Sequence, residues 1–148
     1  MNISLRERAI RMLARREHAR VELARKLAPH AESAEEIEAL LDELTARRLL
    51  SDARYVDARI NARRARFGDA RLTSELCAQG VAEELVDAAL AAGENELNRA
   101  RQVWQKKFAG KADAGDATER ARQSRFLMSR GFSAETVRRV LRGDFEDD

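Results

Sequence analysis

The chain has 148 residues, of which 36% are charged, 44% are hydrophobic and only 5% are aromatic, and its formal net charge is +2. This composition favours helix, argues against wholesale disorder and excludes a uniformly polycationic protein. No segment approaches the roughly 18 consecutive apolar residues of a membrane span, no secretory signal opens the chain, and the single cysteine excludes an intramolecular disulfide. We therefore expect a soluble, cytoplasmic protein with no membrane contact.

Apolar residues at helical spacing predict three helices in the first fifty residues. The first covers about 3–16 and the second about 18–27, which Pro29 ends because proline cannot continue the backbone hydrogen bonds of a helix. The third begins at Ser33, which forms a capping box with Glu36 three residues later.

The next helices follow the same plan of helix, short helix and helix. A helix over about 51–66 is broken at Gly68, and a short one over 69–79 stops at Gly80, which fits a position that requires positive φ. The remaining four helices are predicted over 82–92, over 94–108, over 117–129 and from Ser133 to a stop at Gly143, with a glycine-rich loop at 109–116.

A repeat underlies this order. Leu23, Leu76 and Leu127 occupy equivalent places at offsets of 53 and 51 residues. Units of this size bury little surface alone, so neighbours are expected to stack and share a core. The sequence predicts an all-α fold of three tandem three-helix repeats, helix-turn-helix-like, in an elongated, curved arrangement. The predicted divisions are 1–50, 51–92 and 93–143, followed by an acidic tail at 144–148.

The sequence contains no recognisable catalytic or metal-binding pattern. His18 and His30 lack partners at metal-ligand spacing, and we interpret them as surface or helix-start residues. Cys77, beside the core residue Leu76, is interpreted as a buried small hydrophobic residue. No phosphate-binding loop or nucleophile motif is present. We therefore predict a protein that is not an enzyme, with no catalytic residue, metal site or cofactor.

Basic residues are separated from acidic ones along the chain. Basic blocks at 59–71, 99–111 and 120–142 alternate with acidic stretches, which is typical of polyanion binding, although a charged helix face is often only solvated. Two classes of non-enzymatic function fit: a nucleic-acid binder with helix-turn-helix-like units, and a protein-binding rod that lies along an acidic or nucleic-acid-coated partner.

Five motifs, taken in order, resemble the RecX family of regulators of the RecA recombinase. They are Arg16-Glu17-His18 with Glu22-Leu23, Leu50-x-Asp52-x-Arg54-Tyr55-Val56, Gly68-x-Ala70-Arg71-Leu72-x-x-Glu75-Leu76, Lys107-Phe108, and Arg125-Phe126-Leu127-x-x-Arg130-Gly131-Phe132. The chain departs from the family pattern at Ala19, Arg59 and Asp69, where a serine, an aromatic residue and a proline are usual.

The resemblance implies three tandem three-helix repeats and binding to the RecA filament on single-stranded DNA, in its helical groove and across subunits. It implies suppression of ATP hydrolysis, strand exchange and co-protease activity, by blocking filament growth or promoting disassembly. The chain would then be a monomeric negative regulator of homologous recombination, DNA repair and the SOS response, with weak direct DNA binding at most. The alternative is a helix-turn-helix-like protein that acts directly on DNA.

We expect the partner contacts on basic residues of the middle and last repeats, and expect Leu72 and Leu76 to be buried structure. Glu22 and Glu75 are expected to pair with arginines of a neighbouring repeat. The candidate filament-binding or DNA-binding residues are Arg54, Arg63, Arg64, Arg66, Arg71, Lys106, Lys107, Arg122, Arg125 and Arg130.

Overall fold

The computed structural model describes residues 2–109 and 116–144, which form nine α-helices and one short 3-10 turn without any strand. The all-α prediction is therefore confirmed for the described chain. Most of the predicted 109–116 loop and of the acidic tail lies outside those residues. The helices are α1 (Leu5–Arg15), α2 (Arg20–Leu27), α3 (Ala34–Ala46), α4 (Asp52–Arg63), α5 (Asp69–Cys77), α6 (Glu83–Ala91), α7 (Glu96–Phe108), α8 (Ala117–Ser129) and α9 (Ala134–Arg142).

Several helices begin at a short polar residue whose side chain accepts a hydrogen bond from a first-turn backbone N–H. The Ser33 hydroxyl accepts from the Glu36 N–H at 3.1 Å, as predicted, but the Glu36 carboxylate accepts from the Glu32 N–H at 2.9 Å rather than from Ser33. Asn95 begins α7 in the same way, accepting from the Asn98 N–H at 2.8 Å. These local bonds explain why the helix starts are readable from the sequence.

Two predicted glycine stops are confirmed by their backbone conformation. Gly80, after α5, has φ +82°, and Gly143, after α9, has φ +76°. At Gly80 a Cβ atom would also lie only 2.7 Å from the Cβ of Val21, so both the conformation and the close approach require glycine.

Contacts divide the chain into two compact units. The first contains residues up to Arg59 together with Leu76–Val86, and the second contains Ile60–Glu75 together with the chain from Asp87 onward. In the first unit α1, α2 and α3 enclose a core that includes Ala9, Leu23, Leu27, Leu41 and Leu44. In the second unit α7, α8 and α9 enclose another, built around Leu97, Ala100, Leu127, Phe132, Val137 and Val140.

The equivalent leucines of the repeat are buried in all three places. Leu23 and Leu127 are fully buried, and Leu76 is 3% exposed. Each such side chain contributes on the order of 1.5–3 kcal/mol relative to an exposed one. Leu72 is also buried, at 1% exposure, which confirms that this face of α5 is structural. The boundaries 1–50, 51–92 and 93–143 remain a prediction.

The interpretation of Cys77 as buried is wrong, and of the two alternatives for His18 only the helix-start position is confirmed. His18 lies two residues before α2 and is buried: its Nδ1 lies 3.1 Å from the Arg16 carbonyl oxygen, and its Nε2 lies 3.2 Å from the Lys26 ammonium. Cys77 is exposed, because the helix turns by about 100° per residue and carries the thiol off the buried face of Leu76. Burial is the main cause that lowers the pKa of the His18 imidazole below its usual value of 6.5.

Candidate functional site

The turn between α4 and α5 places one aromatic ring among four guanidinium groups. The Phe67 ring centroid lies 4.3 Å from the guanidinium carbon of Arg71 and 4.5 Å from that of Arg63. The guanidinium carbons of Arg66 and Arg130 each lie 5.5 Å away. We call these five residues the Phe67 cluster. Each cation–π contact contributes about 0.5–2 kcal/mol, but the four like charges also repel one another.

Glu75 supplies the negative charge that pairs with this cluster. Its carboxylate accepts two hydrogen bonds from Arg63, both at 2.9 Å, and one from Arg71 at 3.2 Å. Burial alone would raise the pKa of Glu75, but the hydrogen bonds from Arg63 and Arg71 outweigh it, so the pKa lies below its usual value. Glu75 therefore stays ionised at neutral pH and offsets part of the positive charge.

Both family glutamates pair locally, so the expectation that they reach an arginine of a neighbouring repeat is wrong. Glu75 pairs with Arg63 and Arg71, which lie in the same predicted repeat. Glu22 accepts from Arg16 at 2.6 Å and from the Ala19 N–H at 3.3 Å. The second bond gives a partner to the backbone N–H of Ala19, the residue before α2, which has no side-chain acceptor of its own.

Two glycines let the Phe67 cluster close. A Cβ atom on Gly68 would collide with the backbone of Gly131, and one on Gly131, whose φ is +89°, would collide with the side chain of Arg71. Without those atoms the Gly68 N–H donates to the Arg130 carbonyl oxygen at 2.8 Å, and the Arg130 guanidinium donates to the Arg66 carbonyl oxygen at 3.2 Å. The family glycines thus bring Arg130 to Phe67.

A groove of about 670 Å³ opens beside the Phe67 cluster and shares Arg66 and Arg130 with it. Four of its residues are cationic, and no carboxylate among the described residues forms an ion pair with any of them. We call it the basic groove. Its lining residues are Ala65, Arg66, Gln102, Val103, Gln105, Lys106, Lys107, Phe126 and Arg130.

The ring of Phe126 organises the cations of the basic groove. The Arg130 guanidinium carbon lies 4.9 Å from its centroid, and the Lys107 ammonium lies 5.2 Å from it. Phe126 itself meets Phe108 edge to face, with centroids 5.4 Å apart and planes at 89°. This packing fixes the ring, so two of the groove's positive charges are held in place by an aromatic contact rather than by an acid.

A buried arginine holds the turn on which these features depend. Arg99, on α7, is only 2% exposed. Its guanidinium donates to the carbonyl oxygens of Arg64 and Phe67, both at 2.9 Å, and to the Asp69 carboxylate at 2.7 Å. Sequence reasoning counted Arg99 as part of a basic block and missed this role. No local sequence signal marks this pairing, because Asp69 and Arg99 are 30 residues apart.

The structure gathers six of the ten predicted residues into the Phe67 cluster and the basic groove: Arg63, Arg66, Arg71, Lys106, Lys107 and Arg130. Arg122 lies with its guanidinium carbon 5.5 Å from the Phe108 ring and pairs with Glu119 at 3.0 Å. Arg125 is exposed on α8.

The other two predicted residues make structural contacts. Arg54 belongs to the first unit, where it pairs with Glu17 at 2.9 Å. The Arg64 guanidinium donates to the carbonyl oxygens of Leu90 and Glu94, both at 3.2 Å, and a Cβ atom on Gly93 would collide with it. Both residues remain predictions as partner contacts.

The chemistry available at this site is charge recognition. Across residues 2–109 and 116–144, no group of three histidine, cysteine, aspartate or glutamate residues is placed to hold a metal ion. In the same part of the chain, every helix is too short or too polar to cross a membrane. At this site positively charged side chains outnumber negatively charged ones, and several of them contact the rings of Phe67 and Phe126.

Comparison with known proteins places the chain in a family. Residues 51–90 match "RecX, second three-helix domain", and residues 94–141 match "RecX, third three-helix domain". The regulatory protein RecX of Leptothrix cholodnii is 54% identical over 148 residues, covering 99% of this chain and 93% of that protein. The regulatory protein RecX of Herminiimonas arsenicoxydans is 43% identical, covering 100% of this chain and 97% of that protein.

Solved structures show the same fold at low sequence identity. The crystal structure of RecX from Lactobacillus salivarius superposes with a TM-score of 0.82 over 95% of this chain and 94% of that one, at 15% identity. A second crystal structure, of a regulatory protein RecX, gives a TM-score of 0.78 over 92% of this chain and 70% of that one, at 18% identity. The motifs, the helical fold and the full-length relatives agree, and the chain belongs to the RecX family of regulatory proteins.

Proposed function

We propose that this protein is a negative regulator of the RecA recombinase. It binds the RecA filament on single-stranded DNA, in the filament's helical groove and across subunits. By blocking filament growth or promoting disassembly, it suppresses ATP hydrolysis, strand exchange and co-protease activity. It acts in the cytoplasm as a monomer, without a cofactor and without catalysis of its own. Full-length similarity to proteins named regulatory protein RecX supports the regulatory role.

The observation that carries the proposal is the convergence of basic residues in the second unit. Six predicted contacts lie in the Phe67 cluster and the basic groove, and Glu75 pairs with only two of them, Arg63 and Arg71. Positive charge that the protein does not neutralise is available to a partner that presents carboxylates or phosphates. Arginine suits both, because its planar guanidinium donates two parallel hydrogen bonds.

A filament presents the same carboxylates and phosphates on each successive subunit. A regulator that touches successive subunits makes its second and later contacts at a high effective concentration, so individually weak contacts sum to useful affinity. Shallow basic surfaces are therefore sufficient, and no deep enclosed pocket is required.

The direct test is the rate of ATP hydrolysis by the cognate RecA on single-stranded DNA. Adding this protein at sub-stoichiometric amounts is expected to lower the steady-state rate in a dose-dependent way. The control protein is the variant Arg15→Gln/Arg25→Gln, which loses two positive charges outside the candidate site, since both arginines are exposed at helix ends of the first unit. An unchanged rate at an equimolar ratio to RecA would refute the proposal.

The alternative is a helix-turn-helix-like protein that acts on DNA without RecA. The observation in its favour is the same surplus of cations, since phosphates of naked DNA meet it equally well. It predicts tight, sequence-selective binding to duplex DNA in the absence of RecA. Weak binding without sequence preference leaves the filament proposal in place.

A further inference from the structure

The basic groove combines three kinds of recognition chemistry in one concavity of about 670 Å³. The cations Arg66, Lys106, Lys107 and Arg130 lie along it. Its apolar lining comes from Ala65, Val103 and Phe126, and amide groups come from Gln105 and from Gln102, whose side-chain N–H donates to Glu94 at 2.7 Å. An occupant that uses all of this lining must present anions, flat apolar faces and hydrogen-bonding edges together.

The cations are free to engage such an occupant. Lys106 and Lys107 are exposed on the last turns of α7, and neither forms an ion pair with a described carboxylate. Arg66 is exposed and contacts the Phe67 ring, and Arg130 gives one hydrogen bond to a carbonyl oxygen and leaves further donors available. By contrast, Arg122, which lies outside the groove, is already paired with Glu119.

The aromatic part of the groove distinguishes nucleic acid from an acidic peptide. Carboxylates of a peptide would pair with the cations, Arg130 included, but would leave the half-buried Phe126 ring unused. Nucleotide bases stack on aromatic rings and on guanidinium planes, and their edges accept and donate hydrogen bonds to amides such as Gln105. The phosphates of the same strand meet the lysines.

The strand must be unpaired. In a duplex the base faces are stacked within the helix and cannot reach Val103 and Phe126, so a duplex would use the groove only through its phosphates. A single strand can present both its phosphates and its bases to one concave surface. The lining therefore favours single-stranded over double-stranded nucleic acid and carries no base-specific pair of contacts.

We infer that the basic groove is a binding site for a single strand of nucleic acid, held by its phosphates at Arg66, Lys106, Lys107 and Arg130 and by base contact at Phe126. The inference rests on the proposed function in that it names the DNA strand, rather than the recombinase, as what this groove takes from the filament. The remaining cations of the Phe67 cluster are left to protein contacts.

The test measures binding of a short fluorescein-labelled oligothymidylate to the full chain by fluorescence anisotropy over a series of salt concentrations, without RecA. If four phosphates are neutralised, log affinity should fall with log salt with a slope of about −2.8, from about 0.7 per phosphate on a single strand. Lys106→Gln/Lys107→Gln should bring the slope to about −1.4 and weaken binding at low salt by at least about tenfold.

Matched variants separate the groove from general charge. Arg15→Gln/Arg25→Gln removes the same charge from the first unit and should leave both the slope and the affinity within about twofold of the unmodified chain. Gln105→Glu places one carboxylate in the groove on an exposed helical position and should weaken oligothymidylate binding without loss of helical circular dichroism. Competition with a duplex and with an oligoglutamate of equal charge should require more of each than of unlabelled oligothymidylate.

Three results would overturn the inference: no binding of oligothymidylate by the unmodified chain, equal loss in the groove and control variants, or equal competition by the duplex or by oligoglutamate. Because RecA is absent, none of them bears on the inhibition of ATP hydrolysis by the unmodified chain. A failed groove assay with intact inhibition would reject the single-strand site alone. Intact strand binding without inhibition would reject the proposed function and leave the groove's ligand established.

Discussion

The two units of the molecule use arginine in different ways. In the first unit several arginines pair with acids: Arg16 lies 2.6 Å from Glu22, and Arg20 lies 2.7 Å from Glu38 and 2.8 Å from Asp42. In the second unit four guanidinium groups surround the Phe67 ring, Glu75 pairs with only two of them, and the four groove cations have no described carboxylate in ion-pair range.

In this comparison the position of the acids, not the number of bases, distinguishes the candidate site from the first unit. The net charge of +2 is a sum over both units, so it shows neither the paired arginines of the first unit nor the unpaired cations of the second. Paired arginines stabilise a fold modestly when exposed, whereas cations held on aromatic rings remain available to an outside anion. Variants that remove an acid or a base from each unit test this contrast.

The largest effect is expected at Arg99, the buried arginine of the second unit. Arg99→Ala leaves the carbonyl oxygens of Arg64 and Phe67 without their donor and should lower the free energy of unfolding by about 3 kcal/mol. Arg99→Lys keeps a charge near Asp69 but not the forked contacts, so it should recover only part of the loss. Urea unfolding followed by circular dichroism measures both.

The exposed Arg25 is the control for that experiment. Arg25→Ala should change the free energy of unfolding by less than about 0.5 kcal/mol. If Arg99→Ala were equally mild, the turn between α4 and α5 would not depend on Arg99, and the account of how Phe67 is positioned would be wrong.

A smaller but more discriminating effect is expected from removing one acid in each unit. Glu22→Gln and Glu75→Gln each lose hydrogen bonds to arginine, and each should lower the free energy of unfolding by about 1 kcal/mol. Only Glu75→Gln also adds positive charge to the Phe67 cluster, so only this variant should inhibit RecA at lower concentrations than the unmodified chain. Equal inhibition by both variants would remove the distinction between the units.

The pH dependence of these two variants gives an internal check. Both carboxyl groups have a pKa lowered below the usual 4.5: burial opposes ionisation, and hydrogen bonds from arginine outweigh it. The stabilisation is therefore present above that value and is lost as the pH falls through the lowered pKa. Each variant and the unmodified chain should converge in stability in acid, which unfolding at a series of pH values below 4.5 would show.

The smallest effect concerns His18 in the first unit. Burial lowers the pKa of its imidazole below 6.5, so the unfolded chain takes up a proton more readily than the folded one. Stability should decrease as the pH falls from above 6.5 toward the lowered pKa. His18→Gln should flatten that part of the profile when melting temperatures are compared between neutral and mildly acidic buffers. A profile that is identical in the two proteins would mean that His18 does not titrate with folding.

Local chemistry explains which parts of the fold were predictable. Ser33, Gly80 and Gly143 act on their own helix ends, and the structure confirms them. The burial of Leu23 and Leu127 follows from helical periodicity and from the repeat offset. Such signals depend on neighbours in sequence, so a single sequence carries them.

The site was less predictable because it depends on distant pairs. Asp69 and Arg99 are 30 residues apart, and nothing in their local sequence shows that they meet. The basic blocks indicated the right segments, but which cations remain without an acid is decided by packing around Phe67 and Phe126. Arg64 shows the same limit, since its role in holding the carbonyl oxygens of Leu90 and Glu94 has no local sequence signal.

The central claim is that the unpaired cations of the second unit carry the contact with the RecA–DNA filament. The measurement is the protein concentration that halves ATP hydrolysis by RecA on single-stranded DNA, for Lys106→Gln/Lys107→Gln and for Arg15→Gln/Arg25→Gln. The account predicts an increase of about tenfold or more for the groove variant and less than about twofold for the control, since both lose the same charge but only one loses it from the groove. Equal values for the two variants would contradict the account.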